Sequence, residues 1–151
     1  MKPLLVLISI SLLSFLILKF ITGSNNFLLS ARIGMSVMLV FTALGHFIFT
    51  DGMALMVPDF LPFKKEWVYL TALLEIAAAI GLHIPQFRLL TGWLLLVFFV
   101  LMLPANIKAA MDHLDYQNAS YTGMGMQYLW FRVPLQVLFV AWVYLSSIRI
   151  W

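Results

Sequence analysis

The chain has 151 residues, 64% of them apolar and 10% charged, with a formal charge of +3 and no cysteine. Soluble domains run near about 45–50% apolar and about 25% charged, and a soluble fold of this length could not hide so large an apolar surplus. The composition therefore marks an integral membrane protein. It also excludes disulfide scaffolding, thiol exchange and cysteine-held iron–sulfur clusters, and the scattered basic residues give no case for nucleic-acid binding.

Five apolar stretches each approach the ~20 residues a spanning helix needs. The first runs from Leu4 to Ile21, broken only by Lys19 near its end, where a long side chain snorkels. It exceeds a typical signal-peptide core and lacks a small-x-small cleavage site, so an uncleaved spanning helix is expected. The second runs from Phe27 to Thr50, with Arg32 one turn inside its start. Residues 51–66, DGMALMVPDFLPFKKE, follow. They are too apolar for a free loop and too broken by Pro58 and Pro62 to span, so they are expected to fold back over the bundle or lie in the interface. The third stretch runs from Trp67 to Ile84, and the fourth from Leu89 to Ala110. Residues 111–128 are polar, rich in tyrosine and glycine, and read as the one solvent-exposed loop. The fifth stretch runs from Leu129 to Ser147. Continuous apolar runs, without strand-like alternation, exclude a barrel.

With five spans, Lys2, Lys64, Lys65, Lys108 and Arg132 fall on one side of the bilayer and Lys19, Arg32, Arg88 and Arg149 on the other. Basic residues alone barely separate the sides. Asp51, Asp59, Glu66, Asp112 and Asp115 all join the first, which leans the acid-free second side toward the cytoplasm. Trp67, Trp93, Trp130, Trp142 and Trp151 are expected in the interfacial belts.

Ionisable groups inside a span are costly and are functional candidates by default. Glu75 lies eight residues beyond Trp67, about 12 Å along its helix at 1.5 Å per residue. A lone carboxyl group at that depth must pair with a cation or keep its proton. Thr71 and Ala79 share its face at four-residue spacing, and small residues there let a neighbouring helix approach. The bland reading, weighed evenly, makes Glu75 only an interhelical hydrogen-bond partner.

His46 lies near the end of the second helix, on a stripe with Arg32, Ser36 and Ala43. In the fourth helix Pro104 frees the carbonyl of Val100, so the helix is expected to bend or end there, with Asn106 or a neighbouring helix satisfying the exposed backbone. Arg132 and Gln136 sit one turn apart at the start of the fifth. Because the helices alternate in direction, His46, Glu75, Asn106 and Arg132 converge toward one membrane face beneath the Pro58/Pro62 loop. That is the pattern of a membrane-embedded polar site. End-of-helix wetting by the interface is the competing account for His46 and Arg132. No metal site is expected. His46 and His83 lie at opposite ends, which argues against a bis-histidine haem, and no zinc, serine-hydrolase or nucleotide motif occurs.

The segments ARIGMSVMLVFTALGHF (31–47), MVPDFLP (56–62), LTALLEIAAAIGL (70–82) and LPANIKAA (103–110) resemble, in order and spacing, the DoxX-like family of small membrane proteins. The resemblance implies an all-α membrane protein, a four-helix bundle over 27–151 preceded by an extra transmembrane helix and linker at 1–26. Its His, Pro, Glu and Pro-Ala-Asn positions fall on His46, Pro58, Pro62, Glu75, Pro104, Ala105 and Asn106. It implies an accessory subunit of a quinone-linked or other membrane oxidoreductase, without catalytic activity of its own, with quinone or lipid as the ligand. The expected partners are membrane lipid and another membrane protein or a second copy, and the expected location is a bacterial inner membrane. The alternatives are an assembly or chaperone-like partner of another membrane protein and, less favoured, a small enzyme or carrier using a His46/Glu75 pocket.

Overall fold

The computed structural model describes residues 2–149, so Trp151 lies outside the described residues. The chain is helical from end to end: α1 (Lys2–Thr22), α2 (Phe27–Ile48), α3 (Thr50–Met56), α4 (Lys64–Gly81), α5 (Pro85–Leu101), α6 (Leu103–Met111) and α7 (Met126–Val143), which continues into a π-helical turn over Tyr144–Ile148. Among the described residues four helices are long and apolar enough to cross a membrane: Lys2–Thr22, Phe27–Ile48, Pro85–Met111 and Met126–Ile148. The remaining long helix, α4, carries Lys64, Lys65, Glu66 and Glu75.

Local chemistry sets the helix ends. Gly23 takes a positive φ of 67° just past α1, and its N–H donates to the Lys19 carbonyl at 3.0 Å, closing the helix with a left-handed cap. Pro85 opens α5, where its missing N–H costs nothing, and Ile84 before it is extended, as a residue preceding proline prefers. Pro104 occupies the first turn of α6 and separates it from α5 at Met102. The break expected from the sequence is therefore a short joint between two helices.

The core unites every long helix. Leu7 of α1, Met35, Met38 and Leu39 of α2, Ala79 of α4, Leu95 and Phe99 of α5, and Leu135, Phe139 and Val143 of α7 form one buried cluster with Leu82. Close approach needs small residues. A Cβ on Gly34 of α2 would lie 1.9 Å from Ser11 Oγ and 2.9 Å from the Leu7 carbonyl oxygen, so α1 packs directly against α2's backbone. α1 thus takes part in the shared core through Leu7. Trp142 is half-buried and donates its indole N–H to the Ala31 carbonyl at 3.0 Å, pinning α7 to α2. It therefore does structural work beyond a belt position, whereas Trp67, Trp93 and Trp130 point outward.

Two connections differ from the sequence expectation. α2 ends at Ile48, and Phe49 (φ −112°, ψ 32°) breaks the helix before α3, a short helix where an apolar connection was expected. α3 buries Thr50, Gly52 and Ala54 against the bundle while Phe60 and Phe63 point outward. Ionic ties hold the rest of this segment: Lys64 to Asp59 at 2.6 Å, Lys65 to Asp51 at 2.7 Å and Lys108 to Asp59 at 3.6 Å. The 111–128 region, expected as an exposed loop, is more ordered. Asp115 and Ser120 form an antiparallel bridge, the Gly123 N–H donates to the His113 carbonyl at 2.6 Å, and Leu114 is buried. This knot presses on α3, where a Cβ on Gly52 would fall 1.9 Å from the Tyr116 carbonyl oxygen. Its compactness lets α7 start at Met126, three residues before the expected Leu129, and makes Tyr128 helical.

Candidate functional site

Glu75 projects from the buried stripe of α4 shared with Val68, Ala72 and Ala79, at spacings of three and four residues. It is 7% exposed. Its Oε2 lies 3.4 Å from His46 Nδ1 at the end of α2, yet it is buried and has no hydrogen-bond donor among the described residues. The reason is that His46 Nδ1 is committed elsewhere, 2.8 Å from the Thr42 carbonyl. A carbonyl can only accept, so Nδ1 carries the hydrogen, and neutral His46 presents Nε2 as an acceptor. Thr42 also lies beside the Glu75 carboxyl group, with its hydroxyl 2.9 Å from the Leu39 carbonyl.

A second polar knot stands next to this pair. Asn106 on α6 is 3% exposed and gathers partners from two helices. Its Nδ2 donates to the Met102 carbonyl at 3.0 Å and lies 3.5 Å from Gln136 Oε1. Its Oδ1 accepts from Arg132 Nε at 3.2 Å and from the Tyr128 hydroxyl at 3.3 Å. Gln136 in turn donates to the Phe99 carbonyl. At the α5–α6 joint Gln136 thus serves the Phe99 carbonyl, while the Met102 carbonyl accepts both the backbone N–H and the side chain of Asn106, so Asn106 does not reach the Val100 carbonyl that the sequence pointed to. The charge of Arg132 reaches both His46 and Glu75, which links the two knots electrostatically.

The four residues singled out from the sequence occupy α2, α4, α6 and α7 at one end of the bundle. Sequence reasoning missed Thr42 and Tyr128. Thr42 had a readable signal, since it precedes His46 by one helical turn. Tyr128 had none, because its role depends on the fold of the loop before α7. Pro58 and Pro104 instead line a shallow outer groove of about 410 Å³ with Asp59, Phe60, Ile107, Lys108, Met111 and Asp112. Pro62 is exposed and precedes Phe63, whose φ of 56° places it in the left-handed region as α4 begins. At the far end of α4, His83 Nε2 lies 2.9 Å from Ser36 Oγ, ten residues before His46 on α2 and remote from it.

Among the described residues no three His, Cys, Asp or Glu side chains gather as metal ligands. No curated protein and no solved structure matches the chain. One family model does, described as Domain of unknown function (DUF8561), over residues 35–147, or 113 of 151 residues. The match takes in all four residues of the polar centre and begins beyond α1 and Arg32. The chain accordingly belongs to the DUF8561 family.

Proposed function

We propose that this protein is a DoxX-like bundle of five spanning helices, α4 being the fifth, in a bacterial inner membrane. There it serves as an accessory subunit of a quinone-linked membrane oxidoreductase. The observation that carries the reading is the Glu75 carboxyl oxygen, buried inside the bundle without a donor and 3.4 Å from an imidazole nitrogen. A buried polar atom left unpaired costs about 1–3 kcal/mol. The reduced, quinol form of a quinone, or a lipid headgroup, offers a hydroxyl that would remove this cost. Arg132, whose charge reaches Glu75, has guanidinium N–H groups beyond the Nε that bonds Asn106. As a span, α4 would set Lys64, Lys65 and Glu66 at one interface and shield Glu75 against α2.

A second reading is an assembly partner that binds another membrane protein through its helix faces. It is favoured by one observation: grooves on the surface around Pro58 and around Phe63 are lined by neither His46 nor Glu75.

One preparation separates the readings. The full chain is extracted in mild detergent, and co-purifying proteins, quinones and lipids are identified for wild type and Glu75→Gln. Gln preserves size and hydrogen bonding but lacks charge and the exchangeable proton. The proposal expects quinone or lipid together with oxidoreductase subunits in the wild type, and a folded variant that loses the ligand. A ligand-free wild type with a stable, non-redox protein partner establishes the second reading, and equal loss of folding reduces Glu75 to a structural hydrogen-bond partner.

A further inference from the structure

All six carboxylate residues, Asp51, Asp59, Glu66, Glu75, Asp112 and Asp115, fall between positions 51 and 115. The opposite end of the bundle is built from the end of α1, the start of α2, the α4–α5 turn and the end of α7. It holds Lys19, Arg32, His83, Arg88 and Arg149, and no Asp or Glu among the described residues.

Arg32 lies five residues into α2 and Arg88 three residues past Pro85, and the charge of Arg88 bears on the Arg32 guanidinium. Arg32 also acts on His83. Arg32 is half-buried, and its Nε is fully buried with no hydrogen-bond partner among the described residues. Its backbone is held in place, because Trp142 bonds the carbonyl of the preceding Ala31. The start of α5 is held as well. A Cβ on Gly81 would meet Thr91 Oγ1 at 2.4 Å, and one on Gly92 would meet Ile148 Cγ1 at 2.8 Å. Ser36 spends its single hydroxyl hydrogen on the Ala79 carbonyl, 2.9 Å away, so at His83 it accepts from Nε2–H. His83 is therefore neutral or cationic and never a counter-ion.

We propose that Arg32 and Arg88 form a clamp for the phosphate of an anionic phospholipid headgroup at this face. Paired guanidinium forks from two helices match phosphate oxygens bidentately. An anion between them turns their repulsion into attraction and gives the buried Nε–H an acceptor. Lipid is the favoured source, because a site one to two turns inside α2 lies at the headgroup level of the membrane reading on which the proposal rests. The clamp is independent of the His46–Glu75 centre at the other end.

The test uses the full chain in detergent, with thermal stability and native mass spectrometry as readouts. Phosphatidylglycerol, phosphatidylcholine and inorganic phosphate are the probes. Wild type is expected to retain and be stabilised by phosphatidylglycerol over phosphatidylcholine. Arg32→Gln and Arg88→Gln should each lower that preference about tenfold, the worth of one charge-assisted hydrogen bond to phosphate. Lys19→Gln, on the same face and 6.0 Å from the Phe15 ring, should leave it unchanged. If Arg32→Gln fails to fold, Arg32→Lys and Arg88→Gln carry the comparison. Undiminished preference in the arginine variants, or an equal fall in Lys19→Gln, overturns the clamp. Stabilisation by inorganic phosphate matching that by phosphatidylglycerol overturns the lipid assignment.

Discussion

Removing the Asn106 side chain tests whether the polar knot holds the α6–α7 end of the bundle together. Asn106→Ala leaves Arg132 Nε and the Tyr128 hydroxyl without their shared acceptor and frees Gln136 Oε1 from its donor. Interhelical side-chain bonds inside membranes average about 0.6 kcal/mol, so the two Oδ1 bonds account for about 1.2 kcal/mol. An orphaned buried donor adds about 1–3 kcal/mol. The expected loss is about 2–4 kcal/mol, or roughly 5–12 °C in melting temperature for a chain of this size. Asn106→Asp keeps the acceptor that Arg132 and Tyr128 use and gives up only the Nδ2 donor, so it should lose less than alanine. Thermal unfolding in detergent, followed by tryptophan fluorescence, reads both variants. An alanine variant within about 0.5 kcal/mol of wild type, the scatter of ordinary surface substitutions, or an aspartate variant worse than alanine, would refute the assignment of Asn106 as the hub.

Gly34→Ala should loosen α1 from α2 by about 1–3 kcal/mol, the usual range for overpacking, because the Leu7 carbonyl cannot yield. Adding Ser11→Gly removes two of the three close contacts, so the pair should be less destabilised than the sum, as a melting-temperature cycle measures; strict additivity would disprove the contact. At the surface, the hydrogen bond from Lys64, with Lys108 nearby, holds the Asp59 carboxyl below its ordinary value of 3.8. A depressed folded value means that this tether is fully present above the ordinary value and fades as pH falls through the lower, folded one. Protection against hydrogen exchange over residues 57–63, taken relative to the intrinsic rate at each pH, should therefore fall in acid below about pH 4, the ordinary aspartate range, and Asp59→Asn should abolish that acid step.

Much of this architecture was legible because lipid-exposed helices announce themselves as long apolar runs, and because a carboxyl group within such a run is too costly to be incidental. Glu75, His46, Asn106 and Pro104 could be singled out for that reason. The residues that complete the site were less visible. Tyr128 acquires its place only after the Asp115–Ser120 bridge folds the loop, and the signal at Thr42 was only its place one turn before His46. α3 escaped notice because seven residues carry too little periodicity to separate a short helix from an apolar loop. Its position rests on Gly52 lying flush against Tyr116, a tertiary fact.

The π-helical turn at the end of α7 makes residue count, as much as residue identity, a constraint on this chain. The Arg149 N–H reaches back five residues to the Tyr144 carbonyl at 2.9 Å, and Ser146, Ser147 and Ile148 are buried in succession. In an α-helix three consecutive residues sweep most of a turn, about 100° apiece, which would swing at least one of them toward lipid. The wider turn absorbs one extra residue and keeps Ile148 seated on Gly92. Deleting a single residue between 144 and 148 would restore a regular helix yet take a residue away from the run that buries Ser146, Ser147 and Ile148 in succession. A one-residue deletion here should therefore be harsher than most substitutions in the same segment.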